Sequence, residues 1–519
     1  MKHSETATSQ PSIDSISLLP DDLVTLYTGE DGHLYLAEGD GRHTDRLSWT
    51  SEDFSTMPGL PVLPGVTGDL EDSHVFAHPT PSADGQRIAV FGLLPTFADD
   101  DEPLPPWDQL DEALEHLLAE TFTPSEGGGG GEATEDDVAG SGMVLVMVGE
   151  ELESNIEEFL ESEPESMDEF IDEDDEDDEL PEFWPGSKVY VIHRDGVQVS
   201  EPWEAEDGTP IHLDWAPDDQ HLLILHQQED LLQLDIVDTQ DPGLAHCIAT
   251  GAPLFWAWQP GGTQLAIRAG DPDEGHGLLQ LMDPIEGHEA RVIGPVGAFY
   301  TPAWHPSGQQ FLYAKPGGRE DMLVEVTSDG KPLRDLLTYP GRAAFRWNQQ
   351  GERIAMAIAP EGHGPFDVLQ VLEADGHARA VFRGAFLSFQ WVHDGTALLI
   401  CRAYEEEGHL QWTLVGLDGS YRSLGPSFAP TRETVIALHF FEQVSISHPF
   451  LSPSGRHIVY SGYAVNETEV DGLRPLKNHQ TSPAAGGAQI LVTPVDGGPT
   501  VSVGEGRYGC FGNLGTEPS

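Results

Sequence analysis

Histidine is the residue type with the most chemistry to offer in this chain: 22 are present, and the pairs His74/His78 and His221/His226 stand close enough to suggest metal ligands. Strand periodicity puts only the first pair on one face, and neither pair has a third ligand at a short spacing. The sequence therefore favours surface or turn histidines and supplies no metal set and no cofactor motif. Nucleophilic hydrolysis would call for a Gly-x-Ser-x-Gly elbow opening a helix, and no such string occurs. Cys247, Cys401 and Cys510 are too few and too scattered for a disulfide framework or a zinc site, and read as small buried hydrophobes. No catalytic residues are expected on these grounds.

Charge is the next signal. The formal net charge is −66, from 90 acidic against 24 basic residues, which excludes a nucleic-acid backbone or an anionic membrane surface as a general electrostatic partner. Residues 97–186 hold 33 of the acidic residues and no Lys or Arg, so half the net charge sits in one stretch. Its first part places Trp107, Leu110, Leu114, Leu117 and Leu118 on one helical face, and Gly127–Gly131 then forms a flexible joint. Its second part threads Phe159, Phe170 and Ile171 through Glu and Asp. Two readings are open: a partly disordered, solvated tract, or an arm that docks on a basic, partly hydrophobic protein surface through those three apolar residues. A divalent-cation loop is not indicated, since no twelve-residue stretch has the ligand spacing. Residues 1–18 are expected to be frayed, and nothing in 1–20 resembles an export signal or a membrane span, so a cytoplasmic location is expected.

The elements that must carry these residues are short and repeated. An aromatic or apolar residue precedes a turn closing on Gly or Asp at Trp215, Trp258, Trp304, Trp347, Trp391 and Leu451, with weaker copies at Pro81 and Phe511. Successive tryptophans lie about 43 to 46 residues apart, the period of one four-stranded propeller blade. Each repeat continues with a second strand such as Gln310–Tyr313, a third such as Met322–Val326, and a turn such as Asp329-Gly330. Because the Asp-Gly doublets recur at one position of the repeat, they are turn chemistry and not catalysis. The hairpin of Leu23–Tyr27 and His33–Leu36 lacks a slot residue of its own, and Tyr508–Phe511 at the other end supplies one. The expectation is an all-β chain: a single β-propeller over 19–519 with eight four-stranded blades, closed by terminal strands that share a blade and interrupted by 97–186. Seven blades is the alternative if the Pro81 copy or the shared blade is false. The segments 427–449 and 464–487 break the period and are expected to be surface loops. Within the first, Phe440 and Phe441 have two open readings, core packing across the ring or contact with a partner.

The run Ala303-Trp304-His305-Pro306-Ser307-Gly308-Gln309-Gln310-Phe311-Leu312-Tyr313, followed by a strand and Ser328-Asp329-Gly330, resembles the WD40-like repeat of Tol-associated periplasmic propellers. It is also similar to the propeller domain of prolyl oligopeptidase and dipeptidyl peptidase IV relatives. The resemblance covers nearly all of the chain outside 97–186 and implies the fold far more specifically than the function. Two departures stand out: Tol-type proteins carry an export signal, and the peptidases carry a hydrolase domain for which no residues are expected here. The functional expectation is a non-catalytic, monomeric scaffold that binds another protein. The rival is an enzyme or small-ligand propeller with its site in the central channel, disfavoured because the first strands read as aliphatic and aromatic more than charged.

Overall fold

The computed structural model describes residues 23–47, 75–97, 187–471 and 487–511, short stretches inside these ranges excepted, together with 103–104. The described residues are mostly strand, in four-stranded antiparallel units of consecutive strands. Four such sheets are separate, covering 75–204, 209–251, 254–296 and 303–339. The strands of 342–511 and 24–46 form one continuous sheet, in which three long strands pass from one unit into the next. Ala378–Trp391 ends one unit against Phe366–Leu372 and begins another against Ala397–Tyr404. Tyr421–Pro430 and Thr500–Phe511 do the same further along. Phe511 lies opposite Thr25, so the C-terminal strand pairs with the first strand of the N-terminal hairpin.

The weak copy at Pro81 belongs to a first strand, Val75–Pro81, paired with Arg87–Leu93. Arg87–Leu93 pairs in turn with Lys188–His193, the strands on either side of the long interruption. The calls on Phe159, Phe170, Ile171, His74 and residues 1–18 fall outside the described residues.

Burial explains why the strands read as they do. Ile354–Ala359 is buried at all six positions because a sheet covers each of its faces. Fourth strands lie at the outer edge and are largely exposed, as in Pro332–Tyr339. Cys401 and Cys510 are buried, but Cys247 is exposed because it sits on such a fourth strand, which corrects the uniform reading of the cysteines.

The slot residues join neighbouring units. The indole Nε1–H of Trp304 donates to the carbonyl of Ala257 at 2.9 Å, one residue before the preceding slot. Trp391 repeats the bond to Arg346 O at 3.1 Å, and Trp215 to Thr80 O at 2.9 Å. The indole N–H groups of Trp258 and Trp347 have no partner among the described residues. The turn after each slot adds a second link: Gln259 Nε2 donates to Gly308 O at 2.6 Å, and His305 Nε2 to Gly351 O at 3.1 Å. Gly308 and Gly351 both have positive φ, and a Cβ on Gly308 would lie 2.6 Å from the carbonyl of Pro260. Glycine is needed there for the backbone conformation and for the close approach of the neighbouring turn.

Trp304 is 8% exposed and bonded across the unit boundary. Trp304→Ala is expected to lower unfolding stability by about 3–5 kcal/mol, measured by denaturant titration. Trp304→Phe, which keeps a ring but loses the N–H, should cost about 1–2 kcal/mol. A midpoint unchanged in the alanine variant would remove the slot from the account of how units adhere.

Candidate functional site

The period fails after Trp391, and the extra chain there is not a surface loop. It forms the only two helices among the described residues, α1 (Arg432–His439) and α2 (Phe441–Ser447). They interrupt a first strand: Phe428–Pro430 pairs with Gly462–Ala464, the chain leaves, and it returns at Leu451 in a single bridge to Ile458. Thr431 starts α1, its Oγ accepting the Thr434 N–H at 3.3 Å and donating to Arg507 O at 2.7 Å. Val435, Ala437 and Leu438 of α1 are buried, as are the first five residues of α2. Phe441 is fully buried, its ring centroid 6.0 Å from that of Phe366 and 5.3 Å from that of Phe389. The expectation of a surface loop over 427–449 is therefore corrected; apolar helix faces of this size must be covered, and the surrounding strands cover them.

The first strands present polar groups to the helix pair from several sides. Arg346 donates through Nη2 to the carbonyls of Phe441 at 3.1 Å and Glu442 at 2.7 Å. The Thr301 N–H donates to the Glu442 carboxylate at 3.2 Å, and the Trp256 N–H to Gln443 Oε1 at 3.0 Å. Trp256 also donates its indole N–H to Asp214 at 2.9 Å. Ser447 Oγ lies 2.9 Å from His212 Nε2 and 2.8 Å from His448 Nδ1, while Thr80 Oγ lies 2.9 Å from His448 Nε2. Every member is satisfied when His212 Nε2–H donates to Ser447, Ser447 to His448 Nδ1, His448 Nε2–H to Thr80, and Thr80 to the His78 carbonyl.

Burial sets the charge states. Desolvation pushes the Asp214 carboxyl up to about 7, against the indole bond from Trp256. It pushes Glu442 up to about 7 against the opposing pull of Arg342, Arg346 and Arg268. The same cause lowers His78 to about 4 and His212 to about 3, and holds His448 well below the usual imidazole range, so all three are neutral at pH 7.

This corrects two expectations. The first strands carry His212 and Asp214 in one sheet and Arg342 and Arg346 in another, beside the helix pair, so they are not mainly aliphatic there. His78 belongs to this interior set, and His226 is buried with its Nε2 3.1 Å from Asp235, so neither is a surface or turn histidine. A period-two reading of Leu213 and Trp215 against His212 and Asp214 would have found the polar stripe.

Beside the helices lies a small cleft of about 60 Å³, partly open to solvent. Its walls are apolar residues from the second and third sheets and from α1 and α2, with Phe440 among them; His78, His212 and Gln443 supply the polar atoms. Ser447 and His212 have the spacing of a nucleophile and its base. Asp214, however, is bonded to Trp256, and no carboxylate bonds to the His212 ring among the described residues. A neutral imidazole with so low a pKa is a poor proton acceptor at neutral pH. No group of three or more His, Cys, Asp or Glu suited to a metal occurs among the described residues.

No protein-family model matches the sequence, and no curated protein does. Solved structures do. TolB from Acinetobacter baumannii is 14% identical, with a TM-score of 0.33 over 46% of this chain and 60% of that one. Prolyl endopeptidases match at 11% identity and a TM-score of 0.41, over 63% of this chain and 46% of theirs. Oligogalacturonate lyase from Vibrio parahaemolyticus matches at 10% and 0.39, over 77% and 92%. The neighbours are thus of the TolB-like and prolyl-endopeptidase types that the repeat resembles, with WD40 domains beside them. None lends its activity to this chain.

The raised Asp214 pKa has a pH signature. An unfolded Asp titrates near 4, so between about pH 4 and 7 the native state holds a proton that the unfolded state has lost, and stability falls as pH rises. The buried histidines act in the opposite sense, so the informative quantity is the difference between Asp214→Asn and the parent. The variant is expected to match the parent near pH 4 and to gain on the order of 3 kcal/mol relative to it by pH 8. A difference independent of pH in urea titrations would refute the assignment.

Proposed function

We propose that this chain is a non-catalytic β-propeller of eight four-stranded blades, closed by the pairing of its terminal strands, that binds another protein through its rim loops and the acidic insertion. The observation that carries this reading is the helix pair, which engages polar groups contributed by several different sheets. Those side chains then have structural work, and recognition falls to the outside of the ring. Support for eight blades comes from the four separate sheets and the units of the continuous sheet; seven would require discarding the unit at Val75–Pro81 or the one at Thr25–Phe511, and both are paired. A partner with a basic surface complements the net charge of −66 and its concentration in 97–186.

Removing the insertion tests the reading. Gly92 and Lys188 are register partners, so joining Leu94 to Gly186 leaves a short hairpin connection of Leu93, Leu94, Gly186 and Ser187. The deletion is expected to fold with an unchanged far-ultraviolet spectrum and to lose a partner that the intact chain captures from its host. Capture by the intact chain should weaken steeply with added salt, because exposed charges are screened over about 8 Å at physiological ionic strength. Identical, salt-insensitive partner sets for the two proteins would defeat the role given to the insertion.

A further inference from the structure

Three imidazoles from distant parts of the chain meet at the C-terminal end of α2. His448 is 0% exposed and His212 4% exposed, while His78 is half-buried with its Nδ1 enclosed. The His448 ring centroid lies 5.3 Å from that of His212 and 6.2 Å from that of His78. The hydrogen-bond chain through this trio uses neutral rings: His448 Nδ1 accepts from Ser447 while its Nε2–H donates to Thr80, and a proton on Nδ1 takes that acceptor away. The groups facing the trio supply no anion. The rings of Phe91, Trp256 and Tyr508 pack on it, and burial keeps the Tyr508 phenol and the neighbouring Cys510 thiol neutral. Arg432 of α1 is a cation and opposes a proton on His78. Asp214, two residues along its strand from His212, accepts from the Trp256 indole, and burial keeps it protonated up to about pH 7. Glu442, near the start of α2, accepts from Thr301 and faces Arg342, Arg346 and Arg268.

We propose that the trio is an acid-labile clasp: protonation of its imidazoles frees the C-terminal end of α2 from the strands Val75–Pro81 and Thr209–Trp215 while the sheets stay folded. Burial holds His212 down to about 3 and His448 well below the usual imidazole range, whereas a freed imidazole titrates near 6.5. The freed end therefore takes up protons that the closed form excludes, so the clasp is at full strength above about pH 6.5 and weakens as pH falls toward 4. The sheets are not stressed in the same way. A strand such as Ile354–Ala359 has no ionisable side chain, and acidification lessens the repulsion within a strongly acidic exterior. Helix α2 has only 7 residues and depends on its tertiary contacts, which makes its release the cheaper response. Val444, which lines the cleft, accepts the His448 N–H through its carbonyl at 2.7 Å, so freeing His448 also alters the cleft wall.

Amide hydrogen exchange of the full chain between pH 7 and 4, read by mass spectrometry and corrected for the intrinsic rate at each pH, tests the proposal. The reporting amides are those of Val444 and His448, bonded to Phe440 O at 2.9 Å and to Val444 O at 2.7 Å. Below about pH 6.5 their protection is expected to fall about tenfold per pH unit for each imidazole freed, so about a hundredfold for His212 and His448 together. Protection of Ile354–Ala359 should hold over the same range. His212→Gln keeps a donor toward Ser447 but removes one titration, and should reduce the fall at Val444 and His448 to about tenfold per unit. If that variant does not fold, the parent profile decides alone. Protection at Val444 and His448 that is independent of pH, a parallel loss in Ile354–Ala359, or an unchanged slope in a folded His212→Gln would each overturn the proposal.

Discussion

A helix pair buried between strands cannot leave its polar groups without partners, and this requirement shapes the first strand of each sheet it touches. Burying an unpaired amide or hydroxyl costs more than the corresponding bond contributes, so partners have to come from the strands and the residues that lead into them. They do: Arg346 for two carbonyls, Thr301 for the Glu442 carboxylate, Trp256 for Gln443, and His212 and Thr80 for the chain through Ser447 and His448. Each donor comes from a different part of the sequence, which makes the helix pair a common point of reference for sheets that otherwise meet only their neighbours. Repeat units interact pairwise along the array. Here a single excursion of the chain touches many of them at once.

The same requirement explains where basic residues are placed in so acidic a chain. Arg268, Arg342 and Arg346 are three of 24 basic residues, and all act on Glu442. Arg268 also spends its guanidinium on the carbonyls of Pro253 and Gly297, and Arg342 stacks over Phe366 at 4.3 Å. Carbonyl partners and an aromatic face are what make a buried guanidinium tolerable, since its Coulomb attraction to one carboxylate barely repays desolvation. The negative exterior adds a field that favours cations inside.

The fold was legible because the repeat is written in turn chemistry. The slot tryptophans and the turn glycines recur at a fixed spacing, and several, such as Trp304, Gly308 and Gly351, mark a place where one unit touches the next. The candidate site was less legible for two physical reasons. The helices are 8 and 7 residues long, too short for periodicity to separate them from a loop, and their stability comes from tertiary contacts rather than propensity. The polar stripe on the first strands is hidden by alternation: Leu213 and Trp215 pack on the preceding sheet, while His212 and Asp214 face the other way, and Phe345 alternates in the same manner with Arg346. Averaging over both faces reports an apolar strand and loses the site.

The outer edges of the units limit how any partner can bind. An exposed fourth strand offers unpaired backbone groups that invite another strand to add. In this chain the third and fourth strands are joined through a register irregularity in unit after unit, at Val189/Val191, Leu234/Asp235, Leu279/Gln280 and Leu323/Val324 among others. Bulges of this kind bend the edge and increase its twist. Pro202, Pro295 and Pro332 remove donors from three of the same edge strands. Edges built this way resist strand addition, and similar edges repeated from unit to unit would otherwise invite association between copies. Edges guarded in this way leave the side chains of the connecting loops as the exposed groups least prone to strand addition.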